Sequence, residues 1–296
     1  MTRAAVTLFG AALLSCAPFA FADGEAPAAP ATKTPLETAI AAFEEGRFVD
    51  AVTEADRVAA EDAVWPKARY LVGEINLVLG DPAAAEAAFR DALSKRPGSA
   101  PVLVGLGRAL LAQAREADAV EPLEKAVAAD AKSARARAFL GVARIKTGKT
   151  KPGLDDIAAA AKLDPIDAEV ARAGVEERLA AGDIEGAGKV ATAYAKARKG
   201  HPTGFFLQAL VSDRAKRVEE AIALYEKAIA ADPTYLDAHK DLAILCVTQN
   251  PVYQDAERTR KAMAHFQSYF DLGGKDEKLK ELYSTMKSFL AGQQKK

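Results

Sequence analysis

Apolar residues recur at helical spacing along most of the chain, and residues 219–233 show this pattern in its clearest form. In the stretch EEAIALYEKAIAADP, Ala221, Tyr225 and Ala228 lie on one side of a helix, and the charged residues fall on the other side. Pro233 ends the pattern, because proline cannot continue a helix. The stretch therefore predicts one amphipathic α-helix whose buried face consists of small and aromatic residues.

The same pattern returns every 34 residues. Counted in steps of 34, one column of small residues is Ala51, Ala85, Ala119, Gly153, Ala187 and Ala221. A second column, twelve positions earlier, is Ala39, Gly73, Gly107, Gly141, Val175 and Ala209. Both columns keep one register without an insertion, which predicts that the chain is built from tandem copies of one structural unit.

A third column lies between the first two and predicts a turn. Its members are Gly46, Gly80, Ala114, Gly148, Gly182 and Lys216. Four of the six are glycine, the residue favoured where a helix ends in the left-handed conformation. Each unit is therefore predicted to be a helix, a tight turn and a second helix.

Residues 66–97 connect this period to a known family. Their small, aromatic and proline positions are Val72, Gly73, Gly80, Ala85, Phe89, Ala92 and Pro97. With the 34-residue period, these positions resemble the tetratricopeptide repeat, and the units begin at residues 32, 66, 100, 134, 168, 202 and 236. The fifth unit matches least well, and the seventh contains seven inserted residues near Pro251. The resemblance implies an all-α solenoid of about seven helix-turn-helix repeats over residues 36–275, wound as a right-handed superhelix with a concave face.

The first 35 residues differ from the repeats. Arg3 precedes an apolar stretch from Ala4 to Ala17, and the sequence AFA at residues 20–22 has the small-x-small pattern of a secretory cleavage site. We interpret residues 1–22 as a signal peptide and the Ala- and Pro-rich residues 23–35 as a linker. Alternatively, the sequence LLSC places a lipidated Cys16 at the mature N-terminus, and we expect membrane association only in that case.

The last helical pattern covers residues 276–292. Apolar residues occupy one side of this predicted helix, namely Leu279, Leu282, Tyr283, Met286 and Phe289. A terminal repeat has an apolar face that no further repeat covers, so we expect this segment to be a capping helix. The alternative is that it binds the partner itself. We expect residues 293–296 to form a disordered tail.

Composition narrows the possible functions. The 40 basic and 41 acidic residues nearly balance, and no long run of one sign occurs, so no nucleic-acid partner is expected. Hydrophobic residues make up 50% of the chain but aromatic residues only 7%, which favours thin helical layers over a thick globular core. The two cysteines, Cys16 and Cys246, leave no intrachain disulfide once Cys16 is cleaved off or lipidated.

Catalytic and metal-binding patterns are missing from the sequence. His201, His239 and His265 have no metal-ligand spacing, and Cys246 falls on the apolar face of a predicted helix, where a thiol is usually buried and inert. No phosphate-binding loop, nucleophile motif or metal motif is present. We therefore expect no enzymatic activity, no cofactor and no metal.

The resemblance also implies a binding surface on the first helix of each unit. The family's ligand-facing positions correspond here to Lys67, Tyr70, Glu74, Arg108, Arg135, Glu169, Arg172 and Glu176. We expect these mixed charges around one aromatic ring to be exposed and to bind a peptide or a partner helix, although each could be an ordinary solvated residue. Tyr70 and Glu74 replace the lysine and asparagine of the family's carboxylate clamp, so capture of a C-terminal carboxylate is not expected.

These observations predict a non-enzymatic scaffold that binds protein segments in its concave groove. With the predicted signal peptide, they suggest a periplasmic role in assembling a bacterial cell-envelope machine, such as a pilus, a motility machine or an outer-membrane complex. Two alternatives remain open: a lipid-anchored structural subunit of an outer-membrane complex, and a glycan-binding or enzyme-accessory module.

Overall fold

A computed structural model describes residues 33–249 and 255–293. The predicted signal peptide, Cys16, nearly all of the linker, Pro251 and the last three residues lie outside these ranges. Over the described residues the chain is helical and contains no strand. The helices, numbered here α1 to α15, are Pro35–Glu44, Phe48–Asp56, Trp65–Leu79, Pro82–Lys95, Ala100–Ala112, Glu116–Ala129, Ala134–Lys146, Thr150–Leu163, Ala168–Ala180, Ile184–Ala197, Pro202–Arg214, Val218–Ala231, Leu236–Thr248, Ala256–Asp271 and Glu277–Gln293.

The first fourteen helices form seven consecutive helix-turn-helix pairs, which we number repeats 1 to 7, and α15 follows them. This arrangement confirms the prediction of an all-α solenoid of about seven repeats. The chain divides into two units, one that ends at Glu177 and one that begins at Arg178, so the boundary falls within α9.

The first unit is built by stacking neighbouring helices. Each helix from α1 to α7 packs against the next, and the first helices α1, α3, α5 and α7 also contact one another in order. Phe89 on α4 is fully buried, and its ring lies against the backbones of Gly73 on α3 and Gly105 on α5. The small-residue column thus leaves the space that an aromatic ring of the same repeat fills.

The second unit follows the same plan. Helices α10 to α14 pack in sequence, and α15 packs against α14. Its largest fully buried side chains are Tyr194, Phe206, Tyr225 and Phe266. Aromatic rings therefore fill the spaces between the alanine-lined helices, as Phe89 does in the first unit.

Helix α15 has the predicted amphipathic pattern. Met286 is fully buried, Leu282 and Phe289 are half-buried, and Lys280 and Lys287 are exposed. The Tyr283 hydroxyl donates a hydrogen bond of 2.8 Å to Gln267 Oε1 on α14. The function of this helix as a solubilising cap stays a prediction.

The turn column adopts the left-handed conformation at every position. The φ angles are 74° at Gly46, 76° at Gly80, 55° at Ala114, 87° at Gly148, 79° at Gly182 and 63° at Lys216. The two residues with a Cβ atom obey the same geometric requirement as the four glycines, although the left-handed region is unfavourable for them.

The positive φ angles predict opposite changes in the free energy of unfolding for two substitutions. Replacing Gly148 by alanine is expected to destabilise the protein by about 1 kcal/mol, because a Cβ is disfavoured at positive φ. Replacing Ala114 by glycine is expected to stabilise it by up to about 1 kcal/mol, since relief of that strain exceeds the added chain entropy of the unfolded state. Urea unfolding followed by circular dichroism measures both changes, and shifts of the same sign in both variants would contradict the explanation.

Candidate binding surface

The predicted ligand-facing residues all lie on first helices of the first unit. Lys67, Tyr70 and Glu74 belong to α3, and Arg108 and Arg135 belong to α5 and α7. The remaining three residues, Glu169, Arg172 and Glu176, belong to α9. We call the surface formed by these eight residues the first-helix face; it extends over repeats 2 to 5.

A buried ion pair joins repeats 2 and 3. Arg108 Nη1 donates hydrogen bonds of 3.0 and 2.9 Å to the two carboxylate oxygens of Glu74. Glu74 is only 3% exposed, and the Arg108 guanidinium lies 5.6 Å from the centre of the Phe139 ring. Burial alone would lower the pKa of Arg108, but the nearby carboxylates of Glu74 and Glu169 outweigh it and raise that pKa. The Arg108 guanidinium is therefore held against the Glu74 carboxylate in one geometry.

Glu169 extends this pair into a network. Its Oε1 accepts a hydrogen bond of 2.9 Å from Arg108 Nη2, and its Oε2 lies 3.2 Å from Arg135 Nη1. Arg135 Nε in turn donates a 2.7 Å hydrogen bond to Asp167 Oδ2. One connected set of five charged side chains thus joins repeats 2, 3, 4 and 5.

Asp167 was missed by the sequence analysis. Its Oδ1 accepts hydrogen bonds from the backbone N–H groups of Glu169 and Val170, at 2.9 and 3.0 Å, and so caps the N-terminus of α9. The other carboxylate oxygen is then directed at Arg135. An aspartate just before a predicted helix is a recognisable capping signal, but its bond to Arg135 depends on how two repeats stack.

The expectation that Glu74, Arg108 and Arg135 are exposed is wrong, and Glu74 is the most deeply buried of the three. The side chains of Arg108 and Arg135 are only 16% and 17% exposed, because the three carboxylates of this network lie against them. Arg172 is more accessible, with 38% of its side chain exposed, and its Nε donates a 2.7 Å hydrogen bond to Glu176 one helical turn away. The accessible charged pair of the face is therefore Arg172 and Glu176.

Two aromatic rings lie among these charges. Tyr70 is half-buried, with its ring centre 5.9 Å from that of Phe89, and Lys67 on the same helix is also half-buried. Phe139, which the sequence analysis did not single out, is half-buried beside Arg108. The first-helix face thus combines apolar rings with arginines whose orientation is fixed by carboxylates.

His239 and Cys246 of the second unit are buried, whereas His201 and His265 are half-buried. His239 Nε2 donates to the carbonyl of Pro233 at 3.1 Å, so its Nδ1 accepts from Nδ1–H of His265 at 3.0 Å. Cys246 is buried, and burial raises the pKa of its thiol. Among the residues that the structure describes, no group of three His, Cys, Asp or Glu side chains is arranged to hold a metal ion.

The histidine pair predicts a loss of stability in acid. Burial, and then the neighbouring His239 and Lys261, lower the pKa of His265 to about 4, while Glu226 opposes this shift. An unfolded histidine titrates near ~6.5, so the unfolded chain binds the extra proton first and stability decreases as the pH falls from ~6.5 to ~4. We expect His265→Gln to lose less stability than the unmodified protein between pH 7 and pH 4.5, as measured by urea midpoints. An equal loss in both proteins would contradict this assignment.

In the described part of the chain, no helix is both long enough and apolar enough to cross a lipid bilayer.

Comparison with known proteins identifies the repeat. Sequence profiles described as tetratricopeptide repeat match residues 36–100, 79–145 and 173–235, which together exceed half of the chain. No curated protein sequence matches.

Several solved structures share the fold. Human IFIT1, solved as a dimer with m7Gppp-AAAA, is 18% identical with a TM-score of 0.55; the match covers 79% of this chain but only 58% of IFIT1. PilW, described as a type IV pilus biogenesis factor, is 18% identical with a TM-score of 0.55, covering 67% of this chain and 92% of PilW. A chain of the Cut9–Hcn1 hetero-tetramer of APC/C is 13% identical with a TM-score of 0.55. That match covers 85% of this chain and 55% of the other chain.

At these identities the solved structures support the fold alone. Stacked helical repeats create extended surfaces, and such a fold supports a scaffold for protein–protein interaction. The matched residues, the seven helix pairs and the left-handed turn column agree with one another. This chain belongs to the tetratricopeptide repeat family.

Proposed function

We propose that the first-helix face binds a segment of another protein, either an extended peptide or a partner helix, and that the chain acts as a non-enzymatic assembly scaffold. The observation that carries this proposal is the network of Glu74, Arg108, Arg135, Asp167 and Glu169, which holds charged groups from four repeats in fixed positions. Tyr70 and Phe139 add apolar rings to the same face.

We expect the network to contribute more to binding a partner than to the stability of the fold. A buried ion pair is often no more stabilising than apolar side chains of the same volume, because both ions lose their hydration. Arginines already held by carboxylates, however, lose little further side-chain entropy when a ligand docks beside them. The Arg172–Glu176 pair is more exposed, and such a pair contributes little free energy. Charged or amide groups of a partner can therefore replace this ion pair with hydrogen bonds of their own.

A charge-swap variant tests this surface without removing an ion pair. Arg172→Glu combined with Glu176→Arg keeps the net charge and the one-turn spacing, so we expect the melting temperature to stay within a few degrees. Capture of partners from cell-envelope extract by residues 23–296 should be lost. The control is Glu121→Lys with Lys125→Glu, which swaps a similar exposed pair on α6, a second helix. Equal capture by both swapped proteins would refute the first-helix face as the binding surface.

We further infer that the scaffold is exported and serves a bacterial cell-envelope machine, such as a pilus, a motility machine or an outer-membrane complex. The support is the pattern of residues 1–22, together with a fold similar to that of PilW. At 18% identity the PilW likeness is a fold likeness, so the N-terminal pattern is the main support.

Export has a direct readout. N-terminal sequencing of the protein recovered from the periplasm is expected to begin at Asp23, and Cys16→Ser should leave localisation unchanged. A mature chain that starts at a lipidated Cys16 would contradict the proposed cleavage and favour a lipid-anchored subunit.

A further inference from the structure

A shallow groove of about 570 Å³ lies in the second unit, on the second helix of repeat 5. Its apolar floor comes from Ile184, Gly188 and Ala193 on α10 and from Val211 on α11. All of its lining residues lie between Ile184 and Arg217, so the groove shares no residue with the first-helix face. The groove is a different surface from the one assigned to the proposed function.

The groove exists because repeat 5 lacks one side chain. At the position of Gly188, the other five of the first six repeats have Val52, Glu86, Val120, Leu154 and Ile222. Four of these are branched aliphatic residues, and Ile222 is buried. A Cβ placed on Gly188 would lie 3.6 Å from Val211 Cγ1, an ordinary contact distance. Repeat 5 therefore has an opening where a leucine-sized side chain belongs.

Basic residues surround this opening. Lys189, Lys196 and Arg217 line the groove, and Glu185 is the one acidic residue among its lining residues, which gives a net charge of +2 (three bases minus one acid). Lys189 pairs with Glu185 at 2.6 Å, and Arg217 pairs with Glu220 at 3.2 Å. All four side chains are about half exposed or more, so both pairs are screened by water and can give way to a ligand carboxylate. The charge of the groove thus complements an acidic ligand.

We propose that this groove docks a segment of a partner protein that inserts one leucine- or isoleucine-sized side chain over Gly188 and places flanking carboxylates beside Lys189, Lys196 and Arg217. The partner side chain fills the position that the protein's own residues fill in repeats 1, 3, 4 and 6. The aliphatic side chain supplies the affinity through burial, and the carboxylates fix the orientation of the segment.

A short peptide tests both requirements in the full-length mature protein. The probe is a fluorescein-labelled peptide with a central leucine between runs of aspartate and glutamate, and binding is followed by fluorescence anisotropy. Affinity should drop at least about tenfold when the peptide's leucine becomes alanine. It should also decrease when its acidic residues become lysine.

Three protein variants locate the binding. Gly188→Leu fills the opening and Lys196→Glu reverses part of the basic rim, and each should weaken peptide binding at least about tenfold. Lys227→Glu makes the same charge change at an exposed position of α12 outside the groove and should leave binding unchanged. Gly188→Ala, whose Cβ meets no clash, serves as a milder filling variant if Gly188→Leu does not fold.

The proposal is overturned if the unmodified protein does not bind the peptide, or if Gly188→Leu and Gly188→Ala bind it as well as the unmodified protein does. A higher melting temperature of the filled variants without any peptide binding would identify the groove as a packing defect. Self-association that is lost in Gly188→Leu, detected by analytical ultracentrifugation, would identify a second copy as the occupant and would also overturn it. None of these outcomes depends on the Arg172–Glu176 swap, so the two proposals fail or succeed separately.

Discussion

Replacing Arg108 by methionine is expected to destabilise the protein by about 3 to 5 kcal/mol, because the variant leaves the carboxylate of Glu74 buried without its cation. Methionine has a similar length and retains packing against Phe139, so the lost charge dominates the effect. Trp65 is the one tryptophan of the chain and lies at the start of α3, the helix that carries Glu74. Its fluorescence during urea unfolding reports directly on this repeat.

A second substitution distinguishes the loss of the Arg108 charge from the loss of its packing contacts as the cause of the destabilisation. Adding Glu74→Leu to Arg108→Met removes the uncompensated carboxylate, so the double variant should recover most of the stability. Glu169 remains paired with Arg135 in this variant. A double variant as unstable as Arg108→Met alone would show that the ion pair is not the cause.

Phe89→Ala is expected to cost about 3 to 5 kcal/mol, since the ring is fully buried between Gly73 and Gly105 and its removal leaves a cavity across repeats 2 and 3. The backbones of two different repeats contact this ring, so they cannot collapse independently to fill the space. Urea unfolding followed by Trp65 fluorescence measures the loss, and a change below about 1 kcal/mol would contradict this packing.

The packing of Phe89 can also be tested by substituting Gly73, which contacts its ring. A Cβ on Gly73 would lie 2.5 Å from Phe89 Cε1, so Gly73→Ala should be destabilising through overpacking. Combining Gly73→Ala with Phe89→Leu reduces the volume that the Cβ meets. The combined variant should therefore be more stable than the sum of the two single effects predicts, because the two residues are in direct contact.

The repeat architecture was predictable because its causes are local and periodic. The glycines of the turn column required positive φ, and the same register correctly extended that conformation to Ala114 and Lys216. Gly188 can also be recognised from the sequence alone, because the other members of its column all have larger side chains. A constraint imposed on every repeat appears once per 34 residues and can be detected by comparing the copies.

The charge network was only partly predictable. Glu74 and Arg108 occupy the same position in consecutive repeats, so their contact follows from stacking once the fold is known. Arg108 and Glu169, however, are 61 residues apart and belong to repeats 3 and 5. A bond across an intervening repeat depends on the local curvature of the stack, which the period does not specify. For this reason the arginines were expected to be exposed and are instead mostly buried.

Site-specific photo-crosslinking tests the central claim, that the first-helix face holds a protein partner. A photoreactive amino acid replaces Lys67 or Glu176 on this face, or Lys125 on the second helix α6 as a control, in the full chain expressed in cells. We predict that positions 67 and 176 crosslink to the same partner protein and that position 125 does not. Crosslinking to that partner from position 125 alone, or equally from all three positions, would contradict the account.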